Sequence, residues 1–250
     1  MVEKLTFPQL LELKMPTATE MYASGSLWYA RVGETFIDNW PSDLRRASIP
    51  TTMIRVDRDV MAGLFSGEQE ITRSAGLLSR RLGWAMRGRP WFVRLNSRSP
   101  KDITYPGLPI TADPAEAIGW LAGSERVCDD VCLLAGARRP IYICLREPVD
   151  IEPGSEARCF AKGGRLIAIS RYDYQAPATS EPPTELWRSA LRLHAKYLAA
   201  HYPDIVFDLC RVGGRTIILE INPYGLSDPC CFRSYEAVES VGGLVWDPPQ

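Results

Sequence analysis

The feature that most constrains this chain is a pair of apolar runs, residues 205–212 and 215–223, separated by Gly213-Gly214. Paired glycines favour a tight reversal because glycine adopts positive φ without steric cost, so the runs predict a β-hairpin. Alternate residues of a strand face opposite sides of a sheet. One predicted face is apolar, with Phe207, Leu209, Ile217, Leu219 and Ile221, and the other carries Asp208, Glu220 and Asn222.

The three polar residues share a face only if the strands pair with Asp208 opposite Glu220. The same register places Leu209 opposite Leu219. A two-residue turn at the glycine pair would instead set Asp208 opposite Leu219, on the wrong face. We therefore expect a three-residue loop with a β-bulge.

The polar face of this hairpin has the chemistry of a metal site. Two carboxylates, Asp208 and Glu220, and the amide oxygen of Asn222 are hard oxygen ligands that suit Mg²⁺ carrying a nucleotide phosphate. The alternative interpretation is a hairpin with a solvated polar face.

Composition narrows the class of protein. The chain has 250 residues, a formal net charge of -1 and no run of basic residues, which argues against a dedicated nucleic-acid or membrane-surface binder. Its seven cysteines include no Cys-x-x-Cys pair and no histidine cluster, so we expect a reducing cytosol and neither a disulfide framework nor a zinc site. No signal-type segment and no stretch of ~20 apolar residues is present, and we expect a cytoplasmic protein.

Other segments could hold an anion or join two lobes. Arg94 lies on a short predicted strand that runs into a hydroxyl-rich loop with Ser97 and Lys101, which indicates either a phosphate cradle or an ordinary polar loop. Arg158 lies within another predicted strand, where a cation needs a partner or an anion. Residues 140–146 read as a buried strand that emerges into the polar stretch 147–154, as a hinge between lobes would.

Two further expectations concern the first half of the chain. Residues 21–30 are rich in aromatic side chains and could form an edge strand. The helix predicted from residue 66 to residue 89 ends in a basic cluster. Its arginines, Arg80, Arg81, Arg87 and Arg89, suit a helix C-terminus and are expected to face water, with an anion site as the alternative.

Four blocks in this order resemble the cell-division-cycle protein 123 family, a divergent clade of the ATP-grasp superfamily. They are FVRLNSRSPKD from Phe92, ICLREPVDIEPGSEARCF from Ile143, RLIAISRYDY from Arg165 and YPDIVFDLCRVGGRTIILEINPYGLSD from Tyr202. Since the chain is shorter than the eukaryotic members, the resemblance suggests a short prokaryotic or viral-type member.

The resemblance implies an α+β, ATP-grasp fold in which ATP and Mg²⁺ bind between two α+β lobes. Residues 1–145 would form the N-terminal lobe, made of a poorly matched cap region (1–60) and a phosphate-loop subdomain. Residues 146–250 would form the C-terminal ATP-grasp lobe, which contains the metal-binding hairpin.

The resemblance also assigns residues by position. The metal ligands would be Asp208, Glu220 and Asn222. Arg94, where relatives commonly have lysine, Lys101 and Arg158 would spread the charge of the transferring phosphate. The nucleotide site would comprise Arg94, Ser97, Lys101, Arg146, Glu147, Pro148, Val149, Asp150, Arg158 and Arg171.

Two functions follow from this resemblance. The first is an ADP-forming ligase that activates a carboxylate as an acyl phosphate for attack by an amine or similar nucleophile. The alternative is an ATP-dependent protein-assembly chaperone, of the kind that assembles a translation initiation factor. A ligase should leave a second pocket beside the phosphates, lined by the first lobe and by Tyr224, Ser227 and Asp228, whereas a chaperone should expose an apolar patch. The partner is therefore an unknown small molecule or protein.

Overall fold

The computed structural model describes residues 18–65, 68–175 and 185–247. The helices are α1 (Ala18–Val32), α2 (Ser42–Ala47), α3 (Arg58–Phe65), α4 (Glu68–Met86), α5 (Lys101–Thr104), α6 (Pro114–Gly123), α7 (Glu125–Gly136), α8 (Leu186–Tyr197) and α9 (Tyr235–Val241). The strands are β1 (Thr51–Val56), β2 (Trp91–Leu95), β3 (Ile110–Thr111), β4 (Ile141–Arg146), β5 (Ala157–Lys162), β6 (Arg165–Arg171), β7 (Ile205–Val212), β8 (Arg215–Pro223) and β9 (Gly243–Val245).

The first sheet has the order β1-β4-β2-β3 and is antiparallel throughout. One face is apolar, with Val93, Leu95, Ile143 and Leu145 fully buried against residues of α3, α4, α6 and α7. The opposite face carries Arg94 and Arg146, which are buried as well. The alternation of β2 and β4 therefore delivers two cations to the side of the sheet that faces the rest of the chain.

The second sheet has the order β8-β7-β5-β6-β9, in which only β6 and β9 are parallel. Its core face packs with residues of α8 and with Ile37, Trp40 and Leu44 from the segment before β1. Part of the other face packs with Phe232 and Val238. The rest of that face turns towards the cations of the first sheet. The expected mixed α+β fold with two sheets is confirmed.

The central hairpin has the expected pairing of Asp208 with Glu220, but it reaches that pairing differently. The loop is the two-residue turn Gly213-Gly214, with φ of +54° and +75°, and not the three-residue loop that the sequence suggested. The bulge lies within the strands, because Leu209 pairs with Ile218 and the register shifts between Asp208 and Leu209.

The bulge changes which residues of β8 are core. Ile218 and Ile221, three residues apart, are buried with the core face, whereas Ile217 and Leu219 were expected there. Leu219 instead lines a cavity beside Glu220. The extra residue at a bulge breaks the two-residue alternation, so the simple pattern assigned the wrong faces.

The expected edge strand at residues 21–30 is wrong, because this segment belongs to α1. Trp28 and Tyr29 pack against Phe36, with ring centroids 5.4 and 5.7 Å apart. A Cβ built on Gly25 would lie 2.5 Å from the Leu133 carbonyl oxygen of α7, so the helices touch backbone to backbone here. This tertiary contact outweighs the strand preference of the aromatic side chains.

Other elements turn or begin at residues whose local chemistry favours it. The hairpin β5–β6 turns at Gly163-Gly164, which has positive φ at both residues. Asp113 caps α6, accepting a hydrogen bond from the Ala115 amide at 2.8 Å ahead of Pro114. Within the described part of the chain, every helix is too short or too polar to cross a bilayer.

Candidate functional site

Two cavities lie where the charged faces of the sheets meet. The smaller has a volume of about 170 Å³ and the larger about 680 Å³. Both are lined by Ser99, Lys101, Tyr172 and Glu220. The two cavities therefore adjoin and share one mixed wall of hydroxyl, cation and carboxylate groups.

Arg158 and Asp208 form a buried ion pair beside the larger cavity. Arg158 Nε donates to Asp208 Oδ1 at 2.8 Å and Nη2 donates to Oδ2 at 2.9 Å. The third guanidinium nitrogen donates to the Asp228 carbonyl at 3.1 Å, and the guanidinium lies 4.9 Å from the centre of the Tyr172 ring. Burial raises the pKa of Asp208, and the Arg158 charge opposes that rise. The strand cation that seemed anomalous in the sequence thus has its partner on β7.

Arg94 and Glu220 join the two sheets. Arg94 Nη1 lies 2.7 Å from Glu220 Oε1, and the same guanidinium donates to the Leu95 carbonyl at 3.0 Å and to the Ser97 carbonyl at 2.7 Å. Burial alone would raise the pKa of Glu220, but the nearby cations, Arg94 foremost, hold it below the usual value. The phosphate-loop strand is therefore tied directly to the predicted metal hairpin.

Arg146 lies beside Arg94 on the first sheet and lines the smaller cavity. It is 4% exposed, and its Nη2 donates to Ser48 Oγ at 3.1 Å. Its Nε has no hydrogen-bond partner among the described residues. Burial, together with the charge of Arg94, lowers the pKa of Arg146 to about 10. A buried guanidinium with an unused donor is poised for an acceptor that a ligand would bring.

The smaller cavity combines the hinge with apolar walls. Of the hinge residues predicted for the nucleotide site, Glu147, Pro148 and Val149 line this cavity, whereas Asp150 does not. Its apolar lining comes from Ile49, Phe92, Leu108, Ile110, Ile151 and Leu219. A slot with apolar walls beside hinge backbone suits a flat, partly polar ring system.

Glu156 is a lining residue that sequence reasoning missed. Burial, followed by the negative charge of Asp208, raises its pKa. Glu156 lies two residues before Arg158, and alternate residues of an extended segment face the same side. This spacing could have predicted that Glu156 lies near the site.

The larger cavity is lined by both halves of the chain. Three residues predicted for the nucleotide site, Ser97, Lys101 and Arg158, line it together with Asn222 and Ser227. Leu27, Trp28 and Arg31 of α1 and Arg126 and Asp130 of α7 line it as well. Tyr224 and Asp228, expected beside a second pocket, are not among the lining residues.

Arg171 is not brought together with the other predicted residues. Its Nε donates to the Trp246 carbonyl at 3.0 Å, and it lines neither cavity. Its neighbour Tyr172, which directly follows the last residue of β6, lines both.

The predicted metal ligands converge, but the two carboxylates among them, Asp208 and Glu220, already pair with arginines. Both Asp208 oxygens accept hydrogen bonds from Arg158, and Asn222 Nδ2 donates to Asp208 Oδ2 at 3.3 Å. Among the described residues, no group of three or more histidine, cysteine, aspartate or glutamate side chains could hold a metal ion. The donor chemistry suits Mg²⁺, yet an ion would require the arginine pairs to open.

The protein has a mixed α+β fold in which two sheets meet across cavities lined by arginine, lysine and carboxylate side chains. The chain belongs to the D123 family, whose family model matches residues 88–241. The resemblance noted from the four sequence blocks is thereby confirmed at the level of the family.

Relatives and solved structures agree with this assignment. The chain is 31% identical over 88 residues to "Translation initiation factor eIF2 assembly protein" of Xenopus tropicalis, which is 33% of this chain and 26% of that protein. It therefore matches about a quarter of that relative's length. The structure of C-terminally truncated Cdc123 from Schizosaccharomyces pombe aligns over 94% of this chain and 100% of that one, with 20% identity and a TM-score of 0.68.

A structure of D-alanine–D-alanine ligase from Bacillus anthracis complexed with ATP aligns over 80% of this chain and 58% of that one, with 16% identity and a TM-score of 0.42. A similarity at that level says nothing about activity. The matched D123-type relatives named here are eukaryotic, so the expectation of a prokaryotic or viral-type member has no support among them.

Proposed function

We propose that this protein binds ATP between its two lobes and uses the bound nucleotide in the ATP-dependent assembly of a protein complex, in the cytoplasm. The observation that carries the nucleotide part is the convergence of Arg94, Arg146, Lys101 and Arg158 on two adjoining cavities. The assembly part is supported by the D123 family assignment and by the similarity to relatives that are named translation initiation factor eIF2 assembly proteins.

The lining suggests how the nucleotide lies. The base would occupy the smaller cavity, between the hinge residues Glu147–Val149 and the apolar side chains of Phe92 and Leu219. Arg146 would offer its unused Nε donor to the nucleotide. The phosphates would extend towards Lys101 and Arg158, because these cations line the larger cavity.

Asp208, Glu220 and Asn222 would hold a Mg²⁺ that accompanies the phosphates. When bound, the ion would neutralise phosphate charge. The chain's own contribution would be an exchange of partners, in which Arg158 and Arg94 leave their carboxylates for phosphate oxygens. Guanidinium groups bind carboxylate and phosphate with similar geometry, so this exchange conserves hydrogen bonds.

A carboxylate-activating ligase remains a second candidate because of one observation. The larger cavity, about 680 Å³, extends beyond the proposed phosphate position and has a wall built by α1 and α7. That volume is in the range of small-molecule sites, as expected for the acceptor or acid of a ligase. Arg94, Lys101 and Arg158 would then stabilise the transferring phosphate.

The test is calorimetric titration of the protein with ATP and with AMP, with and without Mg²⁺. Lys101 is exposed and lines both cavities, so Lys101→Ala should leave the fold unchanged. Loss of one charge-assisted contact costs about 1.5–3 kcal/mol, so ATP affinity should fall roughly 10- to 100-fold while AMP affinity changes little. Arg165→Ala, which removes an exposed cation at the far end of β6, is the matched control and should bind as the wild type does.

Equal affinity of the Lys101→Ala variant and the wild type for ATP would contradict the proposed placement of the phosphates. No ATP binding at all would contradict the function. Release of ADP from Mg-ATP, stimulated by a small-molecule fraction of a cell extract, would favour the ligase; binding without stimulated turnover would favour assembly.

A further inference from the structure

The exposed face of α4 carries an unusual combination of side chains. Trp84 is 77% exposed and Leu77 is 51% exposed. They lie seven residues apart, two helical turns, and therefore share one face. The exposed arginines on this face and at its end are Arg73, Arg80, Arg81 and Arg87.

The charge of this helix face is one-sided. Residues 71–90 contain five arginines and no acidic residue, in a chain whose formal net charge is -1. The Arg87 guanidinium lies 5.8 Å from the centre of the Trp84 ring. The indole is thus flanked by cations and faces solvent, an arrangement enriched at protein interfaces.

A groove separates this helix face from the edge of the first sheet. The cavity there has a volume of about 480 Å³ and is lined by residues 52–55 of β1 and by Arg80, Arg81, Trp84 and Ala85 of α4. In the described part of the chain, β1 pairs only with β4, so its outer edge has no strand beside it. Arg81 Nη2 donates to the Arg55 carbonyl at 2.7 Å and covers one position of that edge.

We propose that this groove binds an extended acidic segment of a partner protein, which adds as a strand beside Thr52–Ile54 and places its acids on the arginines of α4. Three observations select this partner. The open edge offers backbone hydrogen bonds to an extended chain, the arginines complement acids, and Trp84 supplies an aromatic anchor.

The same observations disfavour other partners. An anionic membrane needs a broad apolar face, and this stripe has only Leu77 and Trp84 as exposed large apolar side chains among its described residues. A nucleic acid would use the arginines but not the strand edge. The groove shares no lining residue with either of the two cavities of the candidate site. The proposal is therefore independent of nucleotide binding.

The test measures fluorescence anisotropy of a short labelled peptide of alternating glutamate and isoleucine. The wild-type protein should bind it, and Arg80→Glu and Trp84→Ala should each weaken binding about tenfold or more. Arg165→Glu, an exposed charge reversal on the second sheet, should bind as the wild type does. Both changed positions are solvent-exposed, and unchanged urea midpoints would exclude unfolding as the cause.

Methylation of alternate backbone amides of the peptide tests strand addition. Methylation of the peptide amides that face β1 should abolish binding. Methylation of the amides on the opposite edge of the peptide should have little effect on binding. Absence of peptide binding, equal binding by all variants, or indifference to methylation would overturn the proposal. If a single-stranded oligonucleotide or phosphatidylserine vesicles bound more tightly than the peptide, and the same variants lost that binding, the proposed peptide partner would be wrong and the tighter ligand would take its place.

Discussion

The buried pair Arg158–Asp208 allows a quantitative test of how this site is held together. The side chains are 8% and 2% exposed, and two parallel hydrogen bonds of 2.8 and 2.9 Å join them. Removing one partner of a buried pair typically costs about 3–5 kcal/mol, because the remaining charge stays buried without its counterion. We therefore expect Asp208→Asn and Arg158→Met each to lower the free energy of unfolding by about 3 kcal/mol.

The double variant should lose far less than the sum of the single variants, since it leaves no unpaired charge. A coupling energy of about 2 kcal/mol or more is expected from urea unfolding of the four proteins. The exposed pair Arg188–Glu185, with side chains 80% and 67% exposed, is the control and should show no measurable coupling. Coupling below about 0.5 kcal/mol between Arg158 and Asp208 would refute the argument.

Three further predictions concern the scaffold. Gly25→Ala should lower the free energy of unfolding by about 1–3 kcal/mol, because the new Cβ meets backbone of α7, whereas Gly76→Ala, with nothing within 4 Å, should be neutral or stabilising; equal effects in urea unfolding would disprove the close helix contact. Gly214→Val should cost about 1–2 kcal/mol in the same assay, since φ is +75° there, while Gly214→Asn should be better tolerated. Burial would raise the pKa of Asp102, but hydrogen bonds from the Ser124 hydroxyl, at 2.6 Å, and from the Arg126 amide, together with the Arg126 charge, hold it below its usual 3.8, so the stability that wild type has over Asp102→Asn should be present above that pH and lost as pH falls through the lowered pKa; a difference that persists in strong acid would contradict this.

Local patterns carried much of the fold. The glycine pair at 213–214 predicted the central hairpin, and the structure shows the same signal at the 163–164 turn and a capping Asp113 before Pro114 at the start of α6. These signals are reliable because they depend on the backbone conformation of a few adjacent residues. The prediction for the α1 segment was wrong because its conformation depends on a contact with α7, between Gly25 and Leu133, which are more than a hundred residues apart in the chain.

The polar triad was predicted from strand alternation and a bulge was expected at the loop, but its actual position at Leu219, within the strand, was not predicted. The register of a hairpin is fixed by the sum of its cross-strand contacts. One extra residue at a bulge allows a two-residue turn and the Asp208–Glu220 pairing to occur in the same hairpin. The face of Leu219 and the separation of Ile218 from Ile221 therefore became clear only once the strands were paired.

By itself, the sequence determined that Glu220 and Asn222 share a face, which Asp208 joins if it pairs with Glu220, and that Arg94 and Arg158 are cations within strands. These facts follow from residue type and from the two-residue period of a strand. The tertiary structure alone decided that Arg158 pairs with Asp208, that Arg94 crosses to Glu220, and that Arg171 turns away from both cavities. An ion pair depends on which elements meet across the fold, and the local sequence contains no information about which distant residues become neighbours.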